Sequence, residues 1–149
     1  MKGSLSLVRG LPGAGKTTYA ERWNLPNKIV ISADDYFVNA DGEYIYDENL
    51  IRKAHEYCQK TAYDGLISGK NVVVANTFTM LWEMKPYFDM AEALGVDYKI
   101  YDLHDGGCSD EQLFSRNLHG VPLNRISRMR SRWQHHSGAI NLKKDEYNV

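Results

Sequence analysis

Cysteine is scarce in this chain. Cys58 and Cys108 are the two present, in no CxxC pair and no Cys/His cluster. That excludes a disulfide scaffold and a structural zinc site, and it fits a reduced, cytoplasmic protein. Long apolar runs are also missing. None approaches the ~20 residues needed to span a bilayer, and Met1–Val8 is too short, and too soon followed by glycine, to read as a secretory leader. There are no repeats, low-complexity tracts or long linkers, so residues 1–149 read as one domain. Hydrophobic residues make up 43% and charged residues 25%, enough for a packed core and too balanced for wholesale disorder.

Acidic residues are absent over one long stretch. From Gln112 to Lys144 there is no Asp or Glu, but seven basic residues: Arg116, Arg125, Arg128, Arg130, Arg132, Lys143 and Lys144. The rest of the chain carries 11 Lys/Arg against 19 Asp/Glu, a balance of −8 within a net charge of −1. An acidic front and a basic back suit a surface that meets polyanions such as nucleotide phosphates or nucleic acid, or simply a solvated basic helix.

What is present alternates between strand and helix. Leu5–Arg9, Lys28–Ser32, Asn71–Ala75 and Asp97–Leu103 read as strands. Gly15–Trp23 reads as a helix, as does a long segment capped by Asp47 and closed by Gly69. Thr79 can cap a helix through Leu94, and Ser109–Leu118 and Pro122–Gln134 complete the helical set. Asp41-Gly42 marks a hairpin turn between Tyr36-Phe37-Val38 and Tyr44-Ile45-Tyr46. The order predicts an α/β fold, a parallel sheet with helices on both faces.

The strongest motif is Gly10-Leu11-Pro12-Gly13-Ala14-Gly15-Lys16-Thr17, which satisfies G-x-x-x-x-G-K-[ST] between a strand and a helix. Its glycines let backbone N–H groups of Gly13, Ala14, Gly15, Lys16, Thr17 and Thr18 wrap a phosphate. Lys16 would reach the β/γ-phosphates of ATP or another nucleoside triphosphate, and Thr17 would offer its hydroxyl to Mg²⁺. Asp34-Asp35 follows the second strand at its carboxyl end, where ligands of parallel sheets sit. One of the two could take a proton from an attacking hydroxyl; a lone Asp there would equally cap a helix. Asn76 ends the third strand, where a Walker-B acid is common, and can meet phosphate, water or substrate or form an Asx turn.

In the basic third, Arg125, Arg128 and Arg132 share one helical face and Ile126, Met129 and Trp133 its neighbour. Arg116 is the favoured arginine to close over the γ-phosphate, while some of Arg128, Arg130 and Arg132 serve solubility. Trp82 and Tyr87 read as core, and Tyr44 and Tyr46 as packing residues or base stackers. His135-His136 read as exposed, and His104, Asp105 and Cys108 lack ligand spacing.

Leu11–Thr18, Asp34-Asp35-Tyr36, Asn76-Thr77 and Arg116-Asn117 together resemble the P-loop 5′-hydroxyl polynucleotide kinases of the phage type. The related Nedd4-binding-protein-like P-loop kinases are similar at still more positions: Asp41-Gly42-x-Tyr44, Trp82-Glu83-Met84-Lys85-Pro86-Tyr87, and Arg116-Asn117-x-His119-Gly120-Val121. The likeness runs from about Ser4 to Gln134. It implies a three-layer P-loop kinase fold with a helical lid. It also implies Asp34 as general base on a 5′-hydroxyl of DNA or RNA, Lys16 and Arg116 clamping the ATP phosphates, and Thr17 on Mg²⁺, with a place in nucleic acid repair. Two departures stand out. Ala33 and Phe37 occupy places where the phage enzymes carry basic residues that grip the acceptor strand, and Asn76 replaces an Asp. Acceptor contacts then fall to Asp34, Asp35, Asn76 and Arg125, with Arg52 a further cation. The DxDx[TV] motif of a phosphatase domain is absent, so the kinase half alone is expected.

The reading is thus a single-domain, Mg²⁺-dependent polynucleotide 5′-hydroxyl kinase with no membrane partner. A P-loop kinase of a small-molecule hydroxyl and a non-catalytic ATP-binding module remain its rivals.

Overall fold

Five parallel strands lie in the order β2-β3-β1-β4-β5 in the computed structural model, which describes residues 3–142. They are β1 (Leu5–Gly10), β2 (Lys28–Ile31), β3 (Asn71–Asn76), β4 (Tyr98–His104) and β5 (Ile140–Asn141). The helices are α1 (Lys16–Arg22), α2 (Ile51–Ile67), α3 (Lys85–Leu94), α4 (Asp110–Arg116) and α5 (Leu123–Arg132). β1 is central and wholly buried, with Leu5 opposite Val72 and Arg9 opposite Asn76 on β3.

Alternation along the strands builds a three-layer α/β core. Leu5, Leu7, Val72, Val74 and Ile100 face α2 and α3, packing on Ala54, Cys58, Ala62, Leu66, Tyr87 and Ala91. Val8, Val73, Ala75, Tyr101 and Leu103 face the other way, onto Ala20 of α1 with Tyr19 and Trp23. The small residues of α2 let it lie close to the sheet; a Cβ on Gly65 would stand 2.7 Å from Ile29 Cδ1. A third cluster, Leu11, Ala14, Cys108, Leu113 and Ile126, binds the loop after β1 to α4 and α5. Among the described residues no helix is long and apolar enough to cross a membrane.

Three local expectations need correction. The Asp41-Gly42 turn forms, but it joins a single antiparallel bridge, Val38 to Tyr44. Tyr36 and Phe37 belong instead to a 3₁₀ helix, Ala33–Phe37, wound by a Ser32/Asp35 capping box. Thr79 caps no helix. Its carbonyl accepts from Gln134 N–H and Arg9, and the chain makes a separate turn, Leu81–Glu83, before α3. Trp82 sits on that turn and is 69% exposed, whereas Tyr87 is buried as expected. Arg130 is no free surface charge: it bonds Asp105 and Asp110, both at 2.6 Å, and the Cys108 carbonyl. β5 carried no legible strand signal, and Lys143 and Lys144 of the basic stretch lie outside the described residues.

One charge, Arg9, is wholly buried in the sheet. Its Nε and Nη2 donate to the Phe78 carbonyl, its Nη1 donates to the Gln134 carbonyl at 2.7 Å, and Asp102 lies 3.5 Å away. The Trp133 ring stacks 4.1 Å from the guanidinium carbon. Arg9→Leu strips the donor from all these acceptors and leaves Asp102 buried without its cation. Urea unfolding of this variant is expected to show a loss of ~3–5 kcal/mol. Arg9→Lys, a point charge without the planar fork, is expected to recover only part of it.

Candidate active site

The loop between β1 and α1 is held open by glycine. Gly13 has φ 83° and Gly15 φ 101°, both in the left-handed region. A Cβ on Gly13 would stand 2.5 Å from the Leu113 carbonyl of α4, so this position has no room for a side chain. The N–H groups of Gly13, Gly15, Lys16, Thr17 and Thr18 bond to nothing among the described residues and surround one concavity, while Ala14 N–H returns to the Leu11 carbonyl. A set of backbone N–H groups of this kind is able to cradle an anion. Lys16 Nζ donates to the carbonyls of Gly10 (2.9 Å) and Leu11 (3.1 Å). Desolvation pushes its pKa down to about 8, against the pull of Asp34.

Across the concavity stands the 3₁₀ helix after β2. Asn76, at the end of β3, holds it in place: Asn76 Oδ1 accepts from Ala33 N–H (2.9 Å) and Ser32 Oγ (3.3 Å). The two carboxylates behind it differ. Asp35 Oδ2 accepts from Ser32 N–H at 2.9 Å and closes the capping box. Burial, with the Asp34 charge, holds its carboxyl above the usual range, and the Ser32 N–H opposes this. Asp34, which lines the same cavity, meets side chains with its carboxylate instead. Tyr44 Oη donates to its Oδ1 (2.9 Å), and His119 Nε2 lies 3.4 Å from its Oδ2. Burial and the nearby Asp34 raise the Tyr44 pKa, so the phenol stays a donor.

The third wall is the α4–α5 pair. Arg116, at the end of α4, reaches the cavity and donates from Nη1 to Cys108 Sγ at 3.1 Å. Asn117 pins the following loop, donating to the Phe114 carbonyl (2.8 Å) and accepting from Val121 N–H (2.8 Å). Arg125 lines the cavity from α5 and has no ion-pair partner among the described residues.

The three walls enclose a cavity of ≈ 600 Å³ whose charges are segregated. Its cations, Lys16, Arg116 and Arg125, lie on the loop and α4–α5 side; Asp34 and Asp35 lie on the other. Between them is room for a phosphate chain facing cations and a neutral hydroxyl facing a carboxylate. For a metal, no group of three His, Cys, Asp or Glu comes together among the described residues. Thr17, exposed beside the cradle, supplies one oxygen, which fits Mg²⁺ carried largely on phosphate oxygens.

Residues 5–134 match the AAA domain family, most of the chain. The chain belongs to that family. Over 138 residues this AAA domain is 34% identical to human NEDD4-binding protein 2; the match takes in 87% of this chain and 8% of that much longer protein. Among solved structures it superposes on the Mycobacterium tuberculosis APS kinase CysC bound to AMPPNP and APS (TM-score 0.68, 13% identity, 99% of this chain and 94% of that one). It also superposes on Kti12 of Chaetomium thermophilum bound to ADP-AlF3 (TM-score 0.66, 15% identity, 95% and 89%). A chain of the Pnkp1/Rnl/Hen1 RNA repair complex matches with TM-score 0.63 at 16% identity (88% and 44%). The fold is that of the P-loop kinases.

In this AAA domain the expected residues Gly13, Gly15, Lys16, Thr17, Thr18, Asp34, Asp35, Asn76, Arg116 and Arg125 all line the one cavity; Ala14 is buried just behind it. Arg52 does not. It lies on the exposed side of α2, paired with Glu56. Asn76 and Asp35 both work on the backbone of the 3₁₀ helix, and for Asp35 the Ser32-x-x-Asp35 spacing carried that signal. Tyr44 packs against the main core cluster beside Phe37, as expected of a packing residue, and its hydroxyl is in addition committed to Asp34. His55 and His119 line the cavity and had no signal as site residues of their own.

The lowered pKa of Lys16 makes a proton part of nucleotide binding. The free amine is mostly neutral above about pH 8, and polyphosphate favours its charged form. Binding is therefore expected to take up a proton above pH 8, and affinity to fall as pH rises from there. Calorimetry at pH 9 in buffers of different ionisation enthalpy measures the uptake, which should vanish in Lys16→Met.

Proposed function

We propose that this AAA domain is a Mg²⁺-dependent kinase that moves the γ-phosphate of ATP to the 5′-hydroxyl of a DNA or RNA end. The supporting observation is that Asp34 lines the same cavity as Lys16, Arg116 and Arg125, a carboxylate opposite three cations. Asp34 accepts the hydroxyl proton as the oxygen attacks. Lys16 and Arg116 offset the charge on the transferring phosphoryl, and the loop N–H groups hold the phosphate chain in line. Arg116 leaves Cys108 to do this. Thr17 would hold Mg²⁺, which supplies charge neutralisation on the phosphates. Asn76 and Asp35 keep the base in place. The likeness to a chain of an RNA repair complex agrees with a nucleic acid end as acceptor. Two cysteines, both free and buried, agree with a cytoplasmic setting.

A small-molecule acceptor is the second reading. Ala33 and Phe37, which flank the acidic pair, are buried apolar residues, so that wall offers a strand no cation. The likeness to an APS kinase fits this reading as well.

Transfer of labelled γ-phosphate to a 5′-hydroxyl oligonucleotide, with a 5′-phosphorylated strand as control, separates the two. The polynucleotide reading expects labelling of the 5′-hydroxyl strand alone, with an acceptor KM that rises with salt. Asp34→Ala is expected to lower kcat ~10²–10⁴-fold and Lys16→Ala to abolish turnover. Labelling of a nucleoside or sugar but no strand would establish the second reading.

A further inference from the structure

The arginines of α5 divide into two sets. Arg130 is committed to structure: it bonds Asp105 and Asp110, and Ser127 Oγ donates to Asp110 as well, at 2.6 Å. Ile126 is buried in the cluster that holds Leu11 and Leu113. Together these contacts fix the helix against α4 and the loop after β1. Arg125, Arg128 and Arg132 are different. They make no ion pair and no side-chain hydrogen bond among the described residues. Their spacing of three and then four residues puts them on one face of the helix, and Arg128 and Arg132 are exposed. Arg125, Arg128, Met129, Ser131 and Arg132 line a second hollow there, of ≈ 280 Å³. Arg125 and Met129 line both this hollow and the candidate active site, so the two adjoin.

Like charges three and four residues apart on a helix repel. No acid close in the chain relieves them, since Gln112 to Lys144 contains none. An anion lying along the face removes the repulsion. The rest of the chain carries a balance of −8, so a polyanion is drawn to this face and repelled from others. We propose that the arginine face of α5 is the track along which the sugar–phosphate backbone of the acceptor strand leaves the active site. Arg125 meets the phosphate nearest the 5′ end, and Arg128 and Arg132 meet those that follow. The inference rests on the acceptor being a nucleic acid end. It supplies the strand's cations from the wall opposite Ala33 and Phe37, which offer none. From Arg125 to Arg132 the helix rises about 10 Å. The track therefore serves phosphates beyond the terminal nucleotide, and a nucleoside or sugar does not reach along it. Contacts to phosphate position a strand without reading its bases, so acceptor choice along the track is independent of sequence.

Arg128→Gln/Arg132→Gln is to be compared with the wild type on 5′-hydroxyl acceptors of increasing length: a nucleoside 3′-phosphate, a trinucleotide and a decanucleotide. The wild-type KM is expected to fall with length. In the variant the decanucleotide KM is expected to rise about tenfold, the effect of two exposed ion pairs. Its slope against log salt is expected to shrink by about 1.4, for two single-strand phosphate contacts. The KM values for ATP and for the nucleoside 3′-phosphate should not follow, and Tm should hold or rise, because a repulsion is gone. Arg128→Lys/Arg132→Lys keeps the charge and is expected to keep most of the affinity. A decanucleotide KM that does not move overturns the track. So does a rise shared equally by ATP or by the nucleoside 3′-phosphate, which would put the arginines on the donor or on the terminal nucleotide. If the wild type labels no strand, the polynucleotide kinase reading fails, and fluorescence anisotropy of a labelled decanucleotide decides the track alone. Binding weakened in the Gln variant and kept in the Lys variant supports the strand surface; no binding by the wild type, or binding that the Gln variant leaves unchanged, overturns it.

Discussion

Arg9 is a guanidinium with no access to water, and most of the molecule is arranged around satisfying it. It sits one residue before Gly10, where the central strand runs into the phosphate loop. Its donors reach the Phe78 carbonyl just past β3, the Gln134 carbonyl just past α5, and Asp102 on β4. Asp102 in turn accepts from His104 N–H, whose own carbonyl holds Leu11 N–H. Burying a charge is tolerated only when every partner is present. The carboxyl ends of three strands and the end of the last helix must therefore meet at one point for Arg9 to be inside at all. In sequence, Arg9 directly precedes Gly10, the last residue of β1 before the loop. The fork of Arg suits this role because its planar donors can serve several acceptors at once, with Trp133 covering the face.

Beyond that anchor, the cavity is organised by charge. Cations come from the loop and from α4–α5; carboxylates come from the short helix after β2. Asn76 explains how the acidic side stays workable. Its position, at the end of a strand beside β1, is one where an acid is common. Here a neutral amide accepts from Ala33 and Ser32 without adding a third negative charge beside Asp34 and Asp35. Asp35 already has its pKa raised by burial and by Asp34. A further carboxylate would compete for the same protons.

Much of this was legible in the residues. The glycines and lysine of the phosphate loop announce themselves because backbone geometry and charge there tolerate few substitutes. The strands were legible because Leu5–Arg9 and Asn71–Ala75 are too apolar to lie anywhere but the sheet interior. The failures share a cause. Trp82 and Thr79 were assigned by residue type, as core and as cap. But Thr79 was drawn into the cluster around Arg9, and Trp82 went to the surface on the turn that followed. Arg130 looked like its neighbours along the helix; only the approach of Asp105 and Asp110 distinguishes it.

By itself the sequence determined the order of the first four strands and the five helices, the glycine-rich loop after β1 and the presence of an acid after the second strand, since these depend on local periodicity and on residue types with few conformational options. Tertiary structure alone decided that Asn76 supports the short helix carrying the two acids, that Asp35 closes on its backbone, and that Tyr44 and His119 meet on the two oxygens of Asp34. Those contacts join segments up to 85 residues apart, from Asp34 to His119. Nothing in the local chain encodes such a distance; it is set by the register of parallel strands and by where the helices between them return the chain.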